Sequence, residues 1–160
     1  MNLIRKTYDT TEVQITSFQS TKGITEYHIF FQQTNCLEDF HTQLQHIQDV
    51  YARSVEELPG NPVAIFRRYF LSDVTNQTDE LMERERLSPY CALSIVQQAP
   101  MNGTKIALWA WLQTGVQTQV LSNGLFEARH GAYGQLLGAN QCNSCLLYTS
   151  DAADDRISVD

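Results

Sequence analysis

Apolar and polar positions alternate with a clear change of period along the first hundred residues, and that change predicts the order of elements. Glu12 to Phe18 and Glu26 to Gln33 are rich in β-branched and aromatic residues. Ser20-Thr21-Lys22-Gly23 between them has turn chemistry, so the two runs are expected to pair as a hairpin. The period then lengthens. Leu37, Phe40, Leu44, Ile47, Tyr51, Val55 and Leu58 recur at three- and four-residue steps among polar residues, which predicts a helix with one buried stripe. Asn35 with Glu38 three positions later suggests a capping box at its start. Pro59-Gly60-Asn61-Pro62 ends it, because neither proline can continue a helix.

Val63 to Leu71 is apolar on both alternating faces except at Arg67 and Arg68, the pattern of an inner strand covered on both sides. A helix between two strands is the usual crossover of a parallel pair, expected to be right-handed. Val74 to Arg86 predicts a short polar helix capped by Ser72 or Asp73, with a thin apolar edge of Val74, Leu81 and Met82. Tyr90 to Gln98 and Thr104 to Gln113 follow as strands, and Asn102-Gly103 between them signals a hairpin. Val116 to Ser122 and Leu125 to Arg129 form a further candidate pair around Asn123-Gly124. Over residues 12 to 113 the order is β-β-α-β-α-β-β, an α/β (α+β) sandwich with two helices on one face of a mixed sheet. Ile106, Leu108, Ala110 and Leu112 line one side of the fifth predicted strand, and Ala107, Trp109 and Trp111 the other. The tryptophan side therefore needs cover from another subunit, or from elsewhere in the chain, and Trp109 and Trp111 are the candidate interface residues.

Charge changes the picture only by exclusion. The chain carries 11 Lys and Arg against 18 Asp and Glu, a formal charge of −7. No basic stripe suggests a nucleic-acid partner, and no apolar run approaches the ~20 residues of a membrane-spanning helix. The first residues lack the apolar core of a secretory signal, so a cytoplasmic address is expected. Cys145 to Asp155 resembles one translated frame of a common sequencing-library adapter, and Ser158-Val159-Asp160 matches the stretch that follows it. With residues 145–160 set aside as non-native, Arg156 and the aspartates 151, 154, 155 and 160 drop out, leaving 10 basic against 14 acidic residues, a charge of −4. The Cys142 and Cys145 spacing is then no redox or zinc motif, and Cys36, Cys91 and Cys142 read as reduced thiols.

Two stretches, Ala64-Ile65-Phe66-Arg67-Arg68-Tyr69-Phe70-Leu71-Ser72-Asp73-Val74-Thr75-Asn76-Gln77 and Cys91-Ala92-Leu93-Ser94-Ile95-Val96-Gln97-Gln98-Ala99-Pro100, carry a family likeness. Together with the order of elements they resemble the YjgF/RidA (Rid, endoribonuclease L-PSP-like) superfamily over residues 10 to 114, close to divergent members with two such domains in one chain. The resemblance implies a chorismate-mutase-like fold, a homotrimer or tandem-domain pseudo-trimer, and small-molecule clefts where subunits or domains meet. It divides the chain into a Rid-like domain at 1–114, a fragment of a second module at 115–144 and the adapter-like tail. The fragment's strands are expected to lack their normal partners.

Archetypal members hydrolyse reactive enamines and imines to keto acids and ammonia, using an arginine for the substrate carboxylate and a glutamate beside the catalytic water. The arginine position falls just before Ser94, where this chain has Ala92-Leu93. The glutamate position falls within Ile106-Ala107-Leu108-Trp109. Neither alanine nor leucine replaces a guanidinium fork, and without the glutamate the obvious acid–base group is absent too, so the complete deaminase site is not expected.

The ligand-binding candidates are Arg67, Arg68, Tyr90, Cys91 and Ser94. One of the two arginines could face the cleft and bind an anion, although an exposed or salt-bridged arginine is the preferred reading. Cys91 lies where the resemblance puts the pocket, but without an adjacent His or Lys it reads as a buried, inert thiol. His41 and His46 are five residues apart on the first helix and diverge, while His28 and His130 stand alone. No metal or cofactor is expected. The Asn76 and Asn102 glycosylation triplets read as ordinary turn residues. Three functions follow: a divergent Rid-like domain contributing to a carboxylate or imine pocket, an active imine/enamine deaminase, or a structural assembly module. RNA cleavage gains no support from an acidic chain.

Overall fold

The computed structural model describes residues 1–20, 23–89, 91–121, 125–130 and 133–139. The adapter-like tail, Cys142, Tyr90 and the Asn123-Gly124 turn lie outside the described residues. The chain forms an α+β structure built on a mixed six-stranded sheet with two helices. Its elements are β1 (Asn2–Tyr8), β2 (Thr11–Gln19), β3 (Thr25–Gln33), α1 (Phe40–Glu57), β4 (Val63–Leu71), α2 (Val74–Glu85), β5 (Ala92–Gln97) and β6 (Ile106–Gln113). The order across the sheet is β1-β2-β3-β6-β4-β5. β1 was not predicted. Its outward residues are solvated on both faces, so it lacks the one-sided apolar alternation that marks a half-buried strand.

β2 and β3 form the expected antiparallel hairpin. The β4–α2–β5 unit is the adjacent parallel pair. β3 and β4 also run parallel across α1, but β6 lies between them, antiparallel to both. This placement overturns the expected β5–β6 hairpin. Asn102 does not close a two-residue turn; its Nδ2 donates to the Gln33 carbonyl at 2.7 Å, and its Oδ1 accepts from Thr104 N at 3.1 Å. Asn102 thereby ties the loop to the far end of β3, so β6 enters the middle of the sheet rather than folding back on β5.

Asp39, not the Asn35–Glu38 box, caps α1: its Oδ1 accepts from Thr42 N at 2.8 Å. Asn35 instead holds Leu37 N at 3.0 Å in a local turn. Asp73 caps α2 as expected, accepting from Asn76 N at 3.3 Å. After α1 the chain turns at Gly60, φ +85°, where an added Cβ would stand 2.9 Å from Thr114 Cγ2. The left-handed backbone and the close approach both select glycine there.

Leu44, Ile47 and Tyr51 of α1 and Leu81 of α2 share one core with Ile29, Phe31, Tyr69, Leu71, Leu108 and Leu112 of the sheet. Both helices therefore cover the same face. A bulge between Ala64 and Phe66 inserts Ile65 into β4, and Ile65 and Phe66 join a second cluster on the opposite side.

That second cluster brings in the rest of the chain. β7 (Gln117–Val120), β8 (Leu125–His130) and β9 (Tyr133–Ala139) pair antiparallel as a separate three-stranded sheet. Phe126 and Ala128 of β8 are buried with Ile65, Phe66, Cys91 and Ala92, and Trp109 and Trp111 pack against them. The three strands pair with one another, and one end of the tryptophan-bearing face is covered from within the chain.

Candidate functional site

Strand register lays out the helix-free face as rows of side chains. One row reads Arg5, Gln14, Phe30, Trp109, Arg68 and Ser94. A neighbouring row reads Leu3, Thr16, His28, Trp111, Phe66 and Ala92, and the next on the other side ends in Gln32, Ala107, Phe70 and Val96. Six-stranded pairing thereby gathers aromatic residues from three strands that are distant in sequence.

Arg67 and Arg68 face opposite ways, as alternation demands. Arg68 lies on the helix-free face, where its Nε donates to Ser94 Oγ at 3.2 Å and its guanidinium stands 5.5 Å from the Phe66 ring centre. Two of the sequence candidates therefore meet, at matched positions of the parallel β4–β5 pair.

Arg67 points into the interior beneath the helices. Its Nη2 donates to Glu85 Oε1 at 2.8 Å and to the Pro89 carbonyl at 3.1 Å, and its Nη1 donates to the Tyr51 hydroxyl at 3.0 Å. Tyr69 donates to Glu85 Oε2 at 2.6 Å. Burial alone would lower the Arg67 pKa, but Cys91, Tyr51, Glu85 and Tyr69 around it hold it well above its ordinary value. Burial pushes the Tyr51 hydroxyl up to about 12 and raises that of Tyr69 well above its ordinary value. The network is closed on itself, and it pins α2 to β4 and α1.

Cys91 is buried next to this network, and burial raises its thiol to about 12. A thiol held protonated is a poor nucleophile. Cys36, in contrast, is exposed. Alkylation by iodoacetamide near neutral pH, mapped by peptide mass spectrometry, is expected to modify Cys36 and spare Cys91 until denaturant is added. Comparable labelling of both in the native protein would contradict this placement.

His28 was read as a lone residue, yet it stands at the centre of the aromatic rows. Its ring stacks with Phe18 and Trp109 at 5.8 Å and with Trp111 at 5.9 Å. Glu26 accepts from Trp111 Nε1 at 2.9 Å and lies 3.7 Å from His28 Nε2. Burial lowers the His28 pKa, against the opposing pull of Glu26. Protonation is therefore less favourable in the folded than in the unfolded chain. The His28 contribution is complete above the ordinary histidine range, about pH 6.5, and is lost as pH falls below it. Urea midpoints are expected to drop less between about pH 7.5 and 5.5 in His28→Asn than in the wild type. An equal drop would refute the assignment.

β6 carries no carboxylate, and its residues on this face are Ala107, Trp109 and Trp111. Among the described residues of the six strands, the carboxylates on the helix-free face are Glu12 on β2 and Glu26 on β3. His41 pairs with Glu80 between the helices at 2.5 Å, and His46 Nδ1 lies 2.9 Å from Thr10 Oγ1. Among the described residues no group of three or more His, Cys, Asp or Glu could hold a metal ion. None of their helices is long and apolar enough to cross a membrane.

Among the described residues, two clefts on this face share Phe30 and Gln32 as a common wall. One, about 360 Å³, runs toward β1 and is edged by Arg5, Lys6 and Glu12. The other, about 370 Å³, runs toward the β5–β6 loop over Phe30, Phe70 and Ala107. Sequence reasoning missed Phe30, Phe70 and His28. The signal was available: β3 and β4 carry large apolar side chains in both phases, which a strand covered on one side alone does not need.

These features define an α+β domain with an aromatic, arginine-bearing sheet face. No protein-family model matches the chain, and neither curated proteins nor solved structures include one found to be similar to it.

Proposed function

We propose that the chain is a divergent Rid-like domain, of chorismate-mutase-like topology, whose helix-free face forms one wall of a small-metabolite pocket at a subunit or domain seam. The pocket takes a carboxylate or imine and lacks the complete deaminase site. The reading is supported above all by the Arg68–Ser94 pair beside Trp109 and Phe66. A guanidinium oriented by a hydroxyl in an aromatic setting suits a small carboxylate, because charge-assisted hydrogen bonds strengthen where water is thinned. Arg68 would then serve the carboxylate from β4, in place of the arginine absent before Ser94. A homotrimer or tandem pseudo-trimer would close the seam over the part of the face that β8 leaves open.

The test is titration of the intact chain with 2-oxobutanoate and with benzoate, followed by tryptophan emission, since Trp109 is the register partner of Arg68. Arg68→Ala is expected to weaken binding about tenfold or more, the loss of one charge-assisted contact of roughly 1.5–3 kcal/mol. Unchanged affinity, or no binding by the wild type, would remove the proposal. Ammonia release from 2-aminoacrylate generated in the assay is expected at the uncatalysed rate. A catalysed rate would establish the deaminase alternative instead.

A further inference from the structure

The cleft toward the β5–β6 loop differs in chemistry from the arginine-bearing row beside it. Its floor is Phe30 and Phe70, whose rings meet edge-to-face at 6.3 Å, with Ala107 of β6 between their strands. Pro100 and fully exposed Met101 make the outer wall. At about 370 Å³ it falls within the range of small-molecule pockets, which are mainly apolar with a few placed polar groups. The polar side chains here are those of Gln32 and Gln98, and among the described residues no charged one lines the cleft. Each glutamine offers both donors and an acceptor.

Those facts restrict the ligand. An anion or cation would lose hydration on this floor without meeting an opposite charge, which is unfavourable. A purely apolar molecule would leave the amide at the mouth without a ligand contact. A planar uncharged ring bearing a carboxamide satisfies both conditions: its ring lies against Phe30, Phe70 and Ala107, and its amide exchanges hydrogen bonds with a glutamine amide. Alanine at 107 is what leaves the room, since a larger side chain between Phe70 and Gln32 in register would fill the floor.

We propose that this cleft is a binding site for small neutral aromatic carboxamides, separate from the carboxylate position at Arg68 and independent of that reading. Benzamide is the probe, and benzoate is its anionic isostere. In the intact chain labelled at its methionine methyl groups, benzamide is expected to shift the Met101 methyl resonance saturably with a Kd of about 1 mM, ordinary for a ligand of this size. Benzoate is expected to bind there at least about tenfold more weakly. Ala107→Leu should abolish the benzamide shift. Gln98→Leu, at an exposed loop position that does not endanger folding, should weaken it several-fold. Arg68→Ala should leave it unchanged while weakening carboxylate binding about tenfold or more, so the two sites fail separately. The proposal is overturned by the absence of a saturable Met101 shift, by benzoate binding there as tightly as benzamide, or by full binding in Gln98→Leu and Gln32→Leu alike.

Discussion

Arg67→Ala is expected to destabilise the protein by about 3–5 kcal/mol, measured as a fall in the urea midpoint at unchanged slope. The guanidinium and the Glu85 carboxylate are only 2% and 6% exposed, so removing one leaves the other charged, buried and unpaired. Tyr51 also loses its bond to Nη1, and the Pro89 carbonyl its donor. The double variant Arg67→Met/Glu85→Leu should recover part of the loss, because two apolar groups leave no buried charge behind. Full recovery is not expected, since the Tyr69 hydroxyl would lose its acceptor at 2.6 Å. A single variant within about 1 kcal/mol of wild type would mean that the interior pair is open to water. The same experiment separates the two arginines: Arg68→Ala should alter ligand binding with a much smaller effect on stability, because Arg68 faces away from this core.

Phe126→Ala carries the second large effect, about 3–5 kcal/mol if both sheets unfold together. Phe126 is 1% exposed, packed with Ile65, Phe66, Cys91 and Ala92, and with Ala128 it makes the apolar contact between β8 and the six-stranded sheet. The chain has two tryptophans, and both border this seam, so their emission should shift to the red in the native state of the variant. Retention of both the wild-type emission and the urea midpoint would show that the small sheet does not rest on Trp109 and Trp111. A red shift without loss of stability would show that the small sheet comes away while the larger one stays folded.

The two variants also mark where reading the chain stopped being sufficient. By itself the sequence determined the local elements: the strand runs at β2, β3, β4 and β6, the helical stripe from Leu44 through Tyr51, and a cap at Ser72 or Asp73, of which the fold uses Asp73. These follow from neighbours a few residues apart, through side-chain period, proline geometry and capping chemistry. It also determined that Arg67 and Arg68 oppose one another and that Trp109 and Trp111 share a side, because alternation along a strand is a local rule.

Only the tertiary structure decided which strands are neighbours. The Asn102-Gly103 pair has the chemistry of a hairpin, yet Asn102 bonds to Gln33, 69 positions earlier, and β6 pairs with β3 and β4. Strand order likewise placed Phe30 beside Trp109, Arg68 beside Ser94, and Glu85 under Arg67. It turned three unremarkable positions on β3, β4 and β6 into the floor of a cleft. Such contacts depend on closing long loops against the burial of whole faces, a balance set by the complete set of elements and encoded in no single segment.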